Sequence, residues 1–226
     1  MQDSNSRAEV RAFRDYDLSV LRAVRSEQRR LRFAKPRLVD VGTGTGEFLL
    51  RLARDSWFKD FRLIGTDTSS EMLEVASDIV GTAGLSERIL LEQNDVHQLP
   101  YADESIEFVT SQSTIHQWDN PVQAFQEIFR VLATNGAAVI HEPRRDIDPE
   151  LQVALRRKRA KHGLQMDALH ERHTPGEVWE MLEQAGLTRH AVINSPSTSI
   201  GFEVRLVKTS GAADVASGLT VRAADA

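Results

Sequence analysis

Cysteine is absent from the 226 residues. That excludes disulfides, thiolate metal sites and a cysteine nucleophile, and it fits a reducing cytoplasm. The opening segment, MQDSNSRAEVRAF, lacks the apolar core of a secretory leader. No apolar run approaches the length of a membrane span. The expectation is a cytoplasmic protein that does not enter a membrane. The seven histidines show no HxxxH or HxH spacing beside a carboxylate, so no metal site is expected. No internal repeat is visible.

The length suggests one domain with room for a substantial core. A chain that is 41% hydrophobic and 27% charged is ordinary for a soluble enzyme. The net charge of −5 is unevenly placed. Residues 38–143 carry −11, whereas residues 1–37 carry +5 and residues 144–172 carry +3. Basic flanks favour an acidic small-molecule acceptor if they cover the site, and solvated helix faces if they do not.

The most informative stretch is LVDVGTGTGEFLL, from Leu38 to Leu50. Leu38, Val39 and Val41 enclose Asp40 and read as a short buried strand. Gly42, Gly44 and Gly46 follow, and Phe48, Leu49, Leu50 and Leu52 begin a helical pattern over 46–55. A strand, a glycine turn and a helix bring backbone close to a ligand at a helix N-terminus. A phosphate loop would need Lys and then Ser or Thr after the last glycine, where Glu47 and Phe48 stand. The dinucleotide fingerprint would need glycine at the sixth position, and that position is Glu47.

Further along, the chain alternates. Residues 8–33 read as a leading helix ended by Pro36, with Phe13 and Tyr16 facing either the core or a ligand. Residues 61–67 read as a second strand ending in Asp67, which could accept both ribose hydroxyls of a nucleoside ligand. Thr68, Ser69 and Ser70 are helix N-cap candidates, and Met72, Leu73, Val75, Ala76 and Ile79 form the apolar face of the helix that follows. Residues 89–92 are a third strand, running into Asn94, Asp95 and Val96. Residues 105–112 are a fourth, ending in Ser111 and Gln112 and followed by His116 and Trp118. A helix over 121–132 is turned back at Asn135–Gly136 into a fifth strand over 137–140, which leads to His141. A basic helix over 150–162 breaks the alternation. Thr174 then caps a helix with Pro175 at its first position and Glu177 completing the box, and Gly186 ends it. Residues 188–195 and 201–208 read as a final antiparallel pair, and the chain beyond 209 as a disordered tail. Alternating strands and helices give a doubly wound, mostly parallel α/β sheet with ligands beyond the strand C-termini.

Four passages carry a family resemblance: DVGTGTG at 40–46, Asp95 after the third strand, IEFVTSQSTIHQW at 106–118, and FRVLATNGAAVI at 129–140. Together they resemble the class I methyltransferases that use S-adenosylmethionine, in the small-molecule subgroup called type 11. Ala137 stands where many members have a second glycine. The resemblance spans about residues 35–208. It implies a seven-stranded Rossmann-like sheet with an antiparallel last strand, preceded by a cap helix over 1–37 and interrupted by a lid over 144–172. It implies S-adenosylmethionine held by Asp40, Gly42, Thr43, Gly44 and Gly46 at the methionyl end. Asp67 and Thr68 would lie at the ribose, Asn94, Asp95 and Val96 at the adenine, and Ser111 and Gln112 at the methionyl amino group. Methyl transfer to an oxygen or nitrogen of a small-molecule acceptor is then mainly a matter of positioning. His116 is the first candidate for a general base and His141 the second. Tyr16, His116 and Trp118 are candidates for the acceptor side. A monomer or homodimer is expected.

Two other readings stand beside this one. One is a regulatory protein that keeps the nucleotide pocket without performing transfer. The other is an RNA methyltransferase using Arg156, Arg157, Lys158, Arg159 and Lys161. Against the second, the basic run lacks interleaved aromatics, and SQST stands after strand four where amino-directed base methylases carry Asn/Asp-Pro-Pro-Tyr/Phe. Nucleic acid is not expected as a partner.

Overall fold

The computed structural model describes residues 20–29, 33–147, 153, 172–195 and 200–209. Seven strands form one sheet: β1 (Arg37–Val41), β2 (Arg62–Asp67), β3 (Ile89–Gln93), β4 (Ile106–Gln112), β5 (Leu132–Pro143), β6 (Ala191–Asn194) and β7 (Gly201–Val207). Their order is β3-β2-β1-β4-β5-β7-β6. The pairs from β3 to β5 are parallel, and β7 runs antiparallel to both neighbours. The order reverses between β1 and β4, which is where an open sheet of this kind forms a ligand crevice.

The helices are α1 (Glu47–Arg54), α2 (Ser70–Thr82), α3 (Pro121–Val131) and α4 (Pro175–Gln184). Alternating strand residues feed two cores, because successive side chains point to opposite faces. Leu38, Leu63, Phe108 and Val139 pack with Phe48, Leu49 and Leu52 of α1 and with Val20, Ala23 and Val24 of helical residues 20–29. Val39, Val41, Val109 and Ile140 pack with Phe125 and Ile128 of α3 and with Val178 and Leu182 of α4.

Two local expectations need correction. On α2 the buried residues are Ala76 and Val80, while Met72 and Val75 are exposed. The helix sits beside the edge strand β3, so only a narrow stripe meets the core. Asn135–Gly136 is not a turn ahead of the fifth strand. It is an irregularity inside β5, where the pairing with β4 jumps from Leu132 opposite Ile106 to Ala137 opposite Phe108. Asn135 adopts φ 65. A Cβ at Gly136 would lie 2.8 Å from the Ala133 carbonyl oxygen. Phe13 and Tyr16, most of the basic lid and nearly all of the tail lie outside the described residues. No helix among the described residues is long and apolar enough to cross a membrane.

Candidate active site

The C-terminal ends of β1, β2, β4 and β5, with the loop after β3, surround a cleft in two chambers. The larger, about 670 Å³, is lined among others by Gly44, Asp67, Thr68, Asn94, Asp95 and Trp118. The smaller, about 220 Å³, includes Asp40, Thr43, Arg51, Gln112 and His141. Gly42, Gln112 and Ser113 line both. The larger volume is within the range of ordinary small-molecule pockets.

The glycine loop makes this geometry. Gly42, Gly44 and Gly46 all have positive φ, a conformation that side chains with a Cβ resist. A Cβ on Gly42 would also lie 2.5 Å from Thr114 Cγ2. The N–H groups of Gly42 and Thr43 donate to the Thr66 carbonyl at 2.8 and 3.0 Å, stitching the loop to β2. Asp67 completes the stitch: its two carboxylate oxygens accept from Gly44 N–H and Ser69 N–H, each at 2.9 Å. An ionised carboxylate has about four acceptor positions, so both oxygens still have capacity for ribose hydroxyls.

Asp40 faces the α1 side with Leu38 and accepts from Thr110 Oγ1 at 2.7 Å. Burial pushes its carboxyl up to about 6, against the opposing effect of that hydrogen bond. Asp95 is anchored by His97. Asp95 Oδ1 accepts from His97 N–H at 2.9 Å and lies 2.5 Å from His97 Nδ1. The hydrogen bond from the His97 backbone holds the Asp95 carboxyl below its usual range. His97 Nε2 accepts from Asn120 N–H at 3.1 Å, so the ring carries its proton on Nδ1 and donates to Asp95.

Gln112 reaches the junction of the chambers with its buried Nε2 unpartnered. Ser111, expected at the methionyl amino group, is not among the residues lining either chamber. Alternation along β4 turns it to the other face, where its hydroxyl donates to the Val41 carbonyl at 2.7 Å and meets Thr114 Oγ1 at 2.5 Å. Ser113 has φ 60, a strained conformation for a residue other than glycine.

The two candidate bases differ in surroundings. His141 lines the smaller chamber, and burial pushes its imidazole down to about 4. His116 lines neither chamber but sits in the short turn Ile115–Gln117, next to Gln117 and Trp118, which line the larger one. Its Nδ1 lies 2.6 Å from Oε1 of Glu142, a fully buried carboxylate. Arg172, also buried, places Nη1 3.6 Å from the same oxygen and donates to Ser113 Oγ at 3.2 Å. Trp118 packs edge-on against Phe125 at 5.4 Å. Among the described residues no group of three His, Asp or Glu side chains could hold a metal ion.

Sequence reasoning passed over His97, Ser113, Glu142 and Arg172. Glu142 had a signal, being a carboxylate with only His141 between it and the buried apolar run AAVI. Arg172 had none, because its partners are distant in sequence.

Comparisons with known proteins agree with this geometry. A family model described as a methyltransferase domain, of type 11, matches residues 39–140. The demethylmenaquinone methyltransferase of Bacteroides fragilis is 34% identical over 110 residues, covering 49% of this chain and 44% of that protein. A ubiquinone/menaquinone biosynthesis C-methyltransferase of Geotalea uraniireducens is 31% identical over 115 residues, covering 50% and 48% respectively. The chain thus spans about half the length of the curated relatives it matches. Among solved structures, a SAM-dependent methyltransferase of Aquifex aeolicus aligns with TM-score 0.60 and 19% identity, over 81% of this chain and 89% of that one. The [4+2]-cyclase SpnF aligns with TM-score 0.59 and 20% identity, over 84% and 81%. At such identities the likeness shows the fold alone, and a fold can host several reactions. The match over 39–140 spans the glycine loop and the strand ends that build the cleft, so this stretch of the chain is similar to the type 11 methyltransferase domain.

Proposed function

We propose that the chain is an S-adenosylmethionine-dependent methyltransferase acting on a carbon of a small hydroxyaromatic acceptor, chemically related to the quinones named in its relatives. The carrying observation is the convergence of Asp40, Asp67 and Asp95 on one cleft around a left-handed glycine loop. The oxygen or nitrogen acceptor expected from the sequence finds no support among those relatives, one of which is named a C-methyltransferase.

The residues present fit the cofactor. The unpartnered Nε2 of Gln112 is a donor for the amino-acid end. Gly42, Thr43, Gly44 and Gly46 shape the floor beneath that end. Asp40 offers negative charge to a cationic centre. Asp67 and Thr68 take the ribose, and Asn94, Asp95 and the Val96 N–H take the adenine. When bound, S-adenosylmethionine supplies an activated methyl group, and the protein is left to align the acceptor and exclude water. Trp118 forms an apolar wall for the acceptor. His116 is the group that takes the acceptor's proton, because at about 4 His141 binds protons weakly.

Titration calorimetry with S-adenosylmethionine and, separately, with NADH tests this reading. Micromolar binding of the first alone is expected. Asp67→Ala should weaken it by more than tenfold, since the carboxylate both receives the ribose and holds the loop at Gly44. Binding of NADH alone, or unchanged affinity in the variant, would overturn the cofactor assignment. A labelled methyl donor offered with reduced 1,4-naphthoquinones then tests the acceptor.

A further inference from the structure

We infer that Glu142 and Arg172 are positioning residues that make His116 a proton acceptor, and that the acceptor must therefore lose a proton to become nucleophilic. An enol or phenol meets that condition, whereas a neutral amine does not. This deepens the methyltransferase reading and rests on it.

Three observations carry the inference. First, one carboxylate grips one turn at two points. Glu142 Oε1 lies 2.6 Å from His116 Nδ1, and Oε2 accepts from Ile115 N–H at 3.0 Å. The ring and the backbone that carries it are fixed together. An ionised carboxylate can only accept, so the imidazole proton stays on Nδ1 and Nε2 keeps its lone pair. Second, Glu142 is fully buried in the sheet. Burying a carboxylate is costly unless it is paired, and capping a three-residue turn does not require a charge. Third, Arg172 shares the carboxylate from the other side and is itself buried. The pair is neutral before proton transfer, and the negative oxygen stays beside the ring.

The step is a proton transfer alone. The acceptor O–H bond breaks, its electron pair stays on oxygen, and the proton bonds to Nε2 of His116. The imidazolium is stabilised by Glu142, as the carboxylate member of a nucleophile–histidine–carboxylate set stabilises its histidine. Among the described residues, other charged groups facing the cluster are His173, whose imidazole burial pushes down, and the ion pair of Arg145 with Glu177, which nearly cancels itself.

The test uses the full chain labelled with ¹⁵N-histidine, with the His116 resonances assigned through His116→Gln. The expected result is the Nδ1–H tautomer of His116 in the wild-type protein. The Nε2–H tautomer would overturn the inference, and this measurement needs neither a Glu142 variant nor an acceptor that turns over. Glu142→Gln keeps the shape of the side chain and removes its charge. It should bind S-adenosylmethionine within twofold of wild type and methylate 1,4-dihydroxynaphthalene at least tenfold more slowly, with KM little changed. The acid limb of its kcat profile should move to lower pH, since loss of the negative neighbour makes the imidazolium less stable. An unchanged kcat and acid limb would reduce Glu142 to a structural cap. Failure of both proteins to bind S-adenosylmethionine would instead overturn the methyltransferase reading, while the tautomer would still judge the pair.

Discussion

Asp40 stands where binding and stability oppose each other. Its carboxyl is raised from 3.8 to about 6 by burial. The folded protein therefore binds the proton more tightly than the unfolded chain. Stability contributed by this group is greatest below about pH 4 and falls as pH rises toward 6, by at most about 3 kcal/mol. Asp40→Asn keeps an acceptor for Thr110 and removes the charge. It should raise the melting temperature at pH 7.5, leave it nearly unchanged at pH 4, and weaken S-adenosylmethionine binding at both. A lower melting temperature at pH 7.5 would show that the Thr110 contact outweighs desolvation. Asp40 was legible as a site residue because an acidic side chain inside an apolar strand is conspicuous. Ser111 was placed in the site by proximity along the chain, and strand alternation puts it on the face of Val41 rather than that of Asp40 and Gln112. The register with β1 and β5 makes that alternation visible, with Ser111 opposite Val41 and Ile140.

At the scale of elements, local rules performed best where the signal was chemical as well as periodic. The capping box at α4 is present in full: Thr174 Oγ1 accepts from Glu177 N–H, and Glu177 accepts from Thr174 N–H at 2.7 Å. The box matters because α4 packs against α3 beneath the cleft and Arg172 lies two residues before the cap. Thr174→Ala should cost about 1 kcal/mol, read as a shift in the denaturation midpoint. A loss of no more than a few tenths of a kcal/mol would mean that packing of Val178 and Leu182 holds the helix without its cap. The periodicity of α3 was also sufficient, since Ala124, Phe125, Ile128 and Val131 are all buried. The α2 face was not legible, because helical periodicity says which residues align but not how wide a stripe the sheet edge will cover. The length of β5 was hidden by Asn135–Gly136, a pair that reads as a turn until Gly136 is seen against the carbonyl oxygens of Glu107 and Ile106.

For the whole molecule, the cleft at the reversal of strand order ties ligand binding to global stability. The glycine loop, β2 and the loop after β3 all contribute to it, through Gly44 to Asp67 and Asn94 N–H to the Asp67 carbonyl. A ligand bound only by the folded state stabilises by about 2.7 kcal/mol at a hundredfold excess over Kd. For a chain of this size that corresponds to a rise of about 5–10 °C in melting temperature. S-adenosylmethionine should produce it in a thermal scan and NADH should not. No shift with either would leave the cleft without a nucleoside ligand.

The amino-acid sequence by itself determined the order of strands and helices, the glycine loop, the three strand-end carboxylates and the antiparallel finish. Each is written in neighbouring residues, as a period, a turn chemistry or a spacing. The tertiary structure decided which side of each strand faces the cleft, that His97 holds Asp95, and that His116, Glu142 and Arg172 meet. His116 and Glu142 are 26 residues apart in the chain. Their contact exists because β4 and β5 lie side by side in register, with Gln112 opposite His141. No local pattern encodes that register, since it is set by how two apolar faces pack across the whole sheet.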